Sequence, residues 1–291
     1  MLGVDFASDA IHIAEICRGQ KEPVLRFAAG IDIVQKQSDP SQVAAELKRL
    51  TTGVAGGKKT VIAAEASGVA IRSALYPVMS MKELRRAIAW DITSLVPYEQ
   101  GTYYYDFAVA GNQIPGLKVL VVAVRKESVD ARIRILRQAG LTPAAVDIEP
   151  LAVYRTLNMP GNLLIMAIGS CSSWIAIFEK HVPVIYRHIA HQQGFCRSSS
   201  MPDLYEAVLL PEIHRTLESY HTLSPGTPIS LVCLEKQPDP VSFAAFMANK
   251  TGMTAKRHDS LHGLHINRKI PPVNNLSSLD IAVGLALYDG E

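Results

Sequence analysis

The feature that most constrains this chain is an order of elements that occurs twice. Apolar, β-forming runs at Leu2–Phe6 and Ala10–Cys17 flank a short polar turn at Ala7–Asp9, and a third run, Val24–Val34, follows the turn-prone Arg18–Pro23. Val43, Ala44, Leu47 and Leu50 recur at helical spacing, which predicts a helix over Pro40–Leu50 leading to a strand at Thr60–Ala64. The second half repeats the pattern. Strands are expected at Asn162–Ile168, Ser173–Phe178 and Pro183–Ile189, separated by turns at Gly169–Ser172 and Glu179–Val182. A helix over Asp203–His221, a strand at Ile229–Leu234 and a helix over Pro240–Thr251 complete it. The two copies begin at Leu2 and Asn162, about 160 residues apart. Duplication on that scale predicts two related units rather than a short-period array. Consecutive hairpins before a crossover helix predict mixed sheets, not the all-parallel order of a dinucleotide-binding fold. The expected class is therefore α/β, with units at residues 1–158 and 159–291.

Extra material separates the cores of the two units. It reads as a helix over Met81–Leu95, strands at Tyr103–Ala110 and Lys118–Val124, and a helix over Glu127–Ala139 closed by Gly140 in a left-handed conformation. A strand at Thr142–Ile148 follows. These elements read as an α/β subdomain inserted in the first unit, at about residues 77–146.

Composition sets the remaining bounds. With 291 residues, 48% of them hydrophobic, the chain can bury a large core. A net charge of +2 demands no nucleic-acid partner. Arg85–Arg86, Arg125–Lys126, the Arg132/Arg134/Arg137 helix face and Lys256–Arg257 read as solvated faces, with proximity to an anionic membrane as the weaker reading. Cys17, Cys171, Cys196 and Cys233 are widely spaced and read as reduced thiols of a cytosolic protein. Neither a signal peptide nor an apolar run of about 18 residues is legible, so membrane association is expected only through a partner.

Several segments, taken in order, resemble one family. These are LGVDFASDAIHIAEI at the start, Arg85–Phe107 (RRAIAWDITSLVPYEQGTYYYDF), and Val119–Leu157, which runs from VLVVAVRKES through AGLTPAAVDIEP. Pro211–Tyr220 (PEIHRTLESY) and Asp280–Tyr288 (DIAVGLALY) complete the set. Together they resemble the PilM family of type IV pilus assembly proteins. The family belongs to the actin, Hsp70 and sugar-kinase superfamily, resembles FtsA in domain layout, and is related to the cytoplasmic half of GspL. The resemblance implies an actin-like (ribonuclease H-like) duplicated two-lobe fold with mixed sheets and an inserted α/β subdomain in the first lobe. It further implies a cytoplasmic protein held at the inner-membrane face by the N-terminal tail of a bitopic PilN-like protein, with pilus assembly ATPase or platform proteins as further partners.

The resemblance also implies a site for ATP and Mg²⁺. Asp5 and Ser8 match the first phosphate-binding turn, while Ala7 stands where the family has glycine and Asp9 adds negative charge. In the second turn Gly169 and Ser170 match, but the acidic residue has become Ala167. The Gly-Gly turn expected to pack on adenosine is replaced by Leu234-Glu235-Lys236-Gln237-Pro238. The site therefore reads as degenerate, with at most weak ATP binding and slow or absent hydrolysis, and the expected role is that of an adaptor. An active nucleotide-switched ATPase of the same machinery is the alternative. A small-molecule kinase is weaker, since neither a catalytic base nor a Gly-rich adenosine turn is legible.

Other candidates carry less. His188 and His191, and the trio His258, His262 and His265, lack the spacing of a helical metal site. Gly169-Ser170-Cys171 is not a nucleophile elbow. Trp90 falls off the Leu84, Ala87, Ile88, Ile92, Leu95 stripe of its helix, and reads either as packed beneath a loop or as a partner contact. A peptide groove is expected between the inserted subdomain and the first-lobe sheet.

Overall fold

The polar turn at Ala7–Asp9 reverses the chain, so β1 (Leu2–Phe6) pairs antiparallel with β2 (Ala10–Cys17), which pairs antiparallel with β3 (Val24–Asp32). The structure, a computed structural model, describes residues 1–17, 22–32, 39–54, 59–113, 116–157, 159–169, 171–191, 205–235, 243–266 and 279–290. Helix α1 (Pro40–Thr51) starts at Asp39, whose carboxylate accepts from the Ser41 amide at 3.0 Å, with Pro40 in the first turn where its missing N–H costs nothing. It carries the chain to β4 (Lys59–Ala63), parallel to β1. Two further strands complete this first sheet: β8 (Thr142–Asp147), parallel to β4, and the short β14 (His265–Ile266), parallel to β3. The order is β14-β3-β2-β1-β4-β8.

A second sheet repeats these senses. Strands β9 (Asn162–Ile168), β10 (Ser172–Glu179) and β11 (Val182–Ala190) form consecutive antiparallel pairs. Then β12 (Ile229–Glu235) and β13 (Ala255–Arg257) add in parallel, giving the order β11-β10-β9-β12-β13. The helix expected from residue 203 is described from 205, as one π-helical turn at Tyr205–Leu209 running into α5 (Leu210–Leu223). Helix α6 (Phe243–Thr251) connects β12 to β13, and its expected start at 240 lies outside the described residues.

The third sheet has three strands, β5 (Val69–Pro77), β7 (Gly116–Arg125) and β6 (Tyr103–Gln113), in the order β5-β7-β6. Helix α2 (Met81–Leu95) covers one face. A reciprocal capping box starts it, in which Ser80 Oγ accepts from the Glu83 amide and Glu83 Oε2 accepts from the Ser80 amide. Leu84, Ile88 and Ile92 bury against Val119, Val121 and Ala123, each large side chain contributing about 1.5–3 kcal/mol. The other face, with Leu120, Val122 and Val124, turns toward Val129 and Ile148.

This pairing corrects the expected insertion at about 77–146. Helix α3 (Lys126–Gln138) and β8 belong to the first sheet, because Leu136, Ala139 and Leu141 bury with Leu2, Val4 and Leu47. The separate sheet is the one formed by β5, β6 and β7, and β5 is a strand that the sequence did not reveal. Gly140 does close α3 with φ +75°, letting the Leu141 amide reach the Leu136 carbonyl at 2.9 Å.

Two helices join the main sheets. Helix α4 (Glu149–Thr156) links β8 to β9, and α7 (Asp280–Ala286) lies against β1, β2, β4 and α4. Between the sheets Val61, Ala63, Ala152, Leu163, Ile165, Ile281 and Leu285 form one core. The crossing of α4 and α7 is close: a Cβ on Gly284 would sit 1.8 Å from the Ala152 carbonyl oxygen, so only glycine fits there.

Candidate functional site

The two hairpin turns face one another across a cleft of about 420 Å³ lined by Ser8, Gly169, Glu65, Glu149, Arg132 and Trp174 among others. Of the residues singled out in the sequence, Ser8 and Gly169 line this cleft, and Asp5 lies at the end of β1, fully buried, with Oδ2 at 3.6 Å from His12 Nδ1. Ser170 lies outside the described residues, as do positions 236–238 of the altered adenosine turn. The Gly169 amide donates to the Ser172 carbonyl at 2.9 Å, so it is directed into its own hairpin rather than toward a phosphate.

The cleft's chemistry comes from residues the sequence did not flag. On β10, Trp174 stands directly across from Ala167, and its Nε1–H donates to Glu149 Oε2 at 2.6 Å. Glu65 accepts from Ser67 at 2.7 Å and Ser128 at 2.9 Å. Burial works to raise the Glu65 pKa, but these hydroxyls, with Arg132 and His188, hold it below the usual carboxylate range. Arg132, expected on a solvated basic face, turns inward. Its guanidinium donates to the carbonyls of Ala63 at 2.6 Å and Phe6 at 3.3 Å, and lies 5.4 Å from the centre of the Phe6 ring. Burial lowers its pKa, an effect offset in part by Asp5, Glu149 and Glu65. Helical spacing could have found it, since Arg132 falls between Val129 and Leu136 on the buried stripe of α3.

These groups do not fit Mg-ATP well. Three carboxylates surround one guanidinium that already serves two carbonyls. For a carboxylate with no Mg²⁺ between it and a phosphate oxygen about 5 Å away, the repulsion is about 3 kcal/mol at an effective dielectric near 20. The indole of Trp174 also stands beside Ala167, the position where a metal-orienting carboxylate was expected.

A second concavity is larger and of opposite character. Between the three-stranded sheet and the first sheet lies a groove of about 610 Å³. Its walls are Leu120, Val122 and Val124 of β7, Val129 and Ile133 of α3, and Leu151 of α4, with Tyr288 near one end. Two strand edges border it: β6, along residues 104–108, and β8, at Val146 and Asp147. Among the described residues, β6 pairs only with β7 and β8 only with β4. Asp147 is ion-paired with Arg155 at 2.5 Å, and the Arg155 guanidinium lies 5.1 Å from the Tyr288 ring centre. Trp90 is not part of either concavity. It stands on the outward side of α2, 87% exposed, and is not packed beneath a loop. Tyr103 and Tyr105 share one face of β6 with ring centroids 6.3 Å apart, whereas the Tyr104 hydroxyl donates to Asp130 on α3 at 2.9 Å.

Comparison with known proteins follows the same lines. The family model described as type IV pilus assembly protein PilM matches residues 3–188. Among solved structures, a PilM-PilN type IV pilus biogenesis complex matches with TM-score 0.81 at 20% identity, over 98% of this chain and 97% of that one. The cytoplasmic domain of EpsL, an inner membrane component of the type II secretion system of Vibrio cholerae, matches with TM-score 0.54 at 11% identity, over 99% and 95% of the two chains. The ethanolamine utilization protein EutJ from Carboxydothermus hydrogenoformans matches with TM-score 0.53 at 12% identity, over 99% and 89%. The fold is thus actin-like ATPase-related, with mixed α/β sheets. No helix among the described residues is long and apolar enough to cross a membrane.

Proposed function

The chain belongs to the PilM family of type IV pilus assembly proteins, and from that membership we propose that it is an adaptor at the cytoplasmic face of the inner membrane. Its apolar groove receives the N-terminal cytoplasmic tail of a bitopic PilN-like protein. The groove itself carries this reading: an open apolar trough of about 610 Å³ between two strand edges suits a peptide better than a compact ligand. The repeated strand order supports a duplicated, two-lobed actin-like architecture, with the β5-to-β7 unit inserted in the first lobe. The acidic cleft is then a degenerate nucleotide site, and assembly proceeds through the interface rather than through hydrolysis.

The test is Ala108→Arg, which puts a long charged side chain at an exposed position lining the groove. We expect an unchanged melting temperature and at least about a 30-fold loss of affinity for the PilN-like tail, equal to about 2 kcal/mol. Undiminished binding by this variant would place the tail elsewhere.

A further inference from the structure

The groove's occupant, on the partner reading above, meets an unpaired main chain, and we propose that it binds as an added β-strand on the free edge of β6, at Tyr105 and Phe107. Two hydrogen bonds establish which backbone groups are available. The Lys126 amide donates to the Thr102 carbonyl at 2.9 Å, which makes this position a hydrogen-bonded pair at the end of the β6–β7 ladder. In an antiparallel ladder such pairs alternate, so Tyr104, Asp106 and Ala108 turn their N–H and C=O groups toward β7, and Tyr103, Tyr105 and Phe107 turn theirs away. The Phe107 amide independently agrees: it donates to Asp106 Oδ1 at 2.8 Å, a side chain one residue away on its own strand.

Such a one-residue bond is a guard rather than a strong partner. Exposed strand edges invite pairing, and charged side chains are a usual means of blunting them. A similar bond lies just past the end of β8, where the Ile148 amide at the start of α4 donates to Asp147 Oδ1 at 2.8 Å. The difference lies in what holds each aspartate. Asp147 is buried and ion-paired with Arg155 at 2.5 Å, whereas Asp106 is exposed at the groove. The Asp147 bond therefore stays made, and the β6 edge opens when a peptide displaces the Asp106 carboxylate.

The geometry also fixes the length and pattern of the occupant. The ladder is regular from Tyr103 to a register shift between Val109 and Gly111. An added strand there spans about five residues, roughly 17 Å at about 3.3 Å per residue. Its alternate side chains lie beside Tyr104, Asp106 and Ala108, on the sheet face that also carries Leu120, Val122 and Val124. The recognised segment is an extended peptide with apolar residues at every second position, selected by main-chain pairing as much as by side-chain fit.

The test uses a synthetic peptide of the N-terminal cytoplasmic segment of the PilN-like protein encoded in the same genome, titrated calorimetrically. Tyr105→Pro removes one outward N–H and is compatible with an edge strand, while Tyr105→Ala removes only the ring. We expect Tyr105→Ala to bind within about threefold of wild type and Tyr105→Pro to lose about tenfold or more, the scale of one or two lost hydrogen bonds. In parallel, peptides N-methylated at single positions are titrated against the unaltered protein. Methylation at alternate residues should cost about tenfold, and the intervening positions should be tolerated. A peptide that binds wild type, yet ignores both the proline and every methyl group, overturns strand addition and leaves the partner reading standing. A peptide that does not bind wild type overturns both.

Discussion

Protonation of His258 should loosen the joint between the two main sheets, and the size of the effect follows from the structure. The segment 258–264 carries the chain from β13 in the second sheet back to β14 in the first. His258 is buried, with Nε2 at 2.7 Å from Thr156 Oγ1 at the end of α4, the helix that makes the opposite crossing. The single Thr156 hydroxyl proton goes to the Val153 carbonyl at 2.6 Å, so the hydroxyl accepts from His258 Nε2–H, the tautomer of a neutral imidazole. Adding a second proton buries a charge. Burial accordingly pushes the His258 pKa down to about 4 from 6.5, with Asp259 offsetting only part of it.

In the unfolded chain this histidine titrates near its ordinary value, so between about pH 6.5 and 4 the unfolded state binds more protons than the folded one. Stability from this group is therefore complete above pH 6.5 and falls as pH drops toward 4. At about 1.4 kcal/mol per pH unit, the interval corresponds to about 3 kcal/mol. The assay is equilibrium urea unfolding at half-unit steps from pH 7.5 to 4, comparing wild type with His258→Gln. The variant should lose about 1 kcal/mol at pH 7.5 for the altered hydrogen bond. Its stability should then decline less steeply, so the two curves should cross near about pH 6 and the variant should be the more stable by about 2 kcal/mol at pH 4. Glu65 and Glu179, both held below the usual carboxylate range, are present in both proteins and cancel in the comparison. His188, also lowered chiefly by burial, contributes equally to both proteins. Parallel curves across the window would refute the reasoning.

Further perturbations separate the two concavities. Millimolar Mg-ATP or Mg-ADP should leave the melting temperature within about 1 °C, since any useful occupancy of the folded state would raise it by mass action. A larger shift abolished by Asp5→Ala would restore a nucleotide-switched mechanism. Gly284→Ala should cost about 3 kcal/mol or more, because its Cβ would fall 1.8 Å from the Ala152 carbonyl and force α4 and α7 apart. An urea midpoint close to wild type would show that the crossing yields more readily than its geometry implies. Trp90→Ala should change stability by no more than about 0.5 kcal/mol, as the side chain is 87% exposed, and should leave tail affinity unaltered. Weakened tail binding would extend the interface around α2.

What the sequence revealed were interactions between near neighbours in the chain. The hairpins at Ala7–Asp9 and Gly169–Ser172, the helix at Met81–Leu95 and the glycine closing α3 each follow from local turn chemistry and periodicity. Partners distant in sequence were illegible. Nothing local to β8 says that it pairs with β4 about 80 residues earlier, so its placement in the insertion failed. β5 hid because Arg72 and Ser73 interrupt its apolar run, and α4 because it has only two turns, although Pro150 in its first turn was a usable start signal. The cleft suffered most, since Arg132, Glu149 and Trp174 come from three elements and only their convergence gives them a role.

That convergence argues for where the protein does its work. In the cleft, polar side chains are largely answered from within: Trp174 by Glu149, Glu65 by two serines, Arg132 by two carbonyls. A ligand there must displace bonds already made and pay the desolvation of charges already neutralised. In the groove, the outward backbone of β6 is guarded at Phe107 by a carboxylate one residue away, and the surrounding walls are apolar. A peptide entering it exchanges a weak local bond for ladder pairing and removes apolar surface from water in the same step. The contrast between a cleft whose polar groups are already engaged and a groove with an outward strand edge is thus the physical ground for looking for the partner at β6.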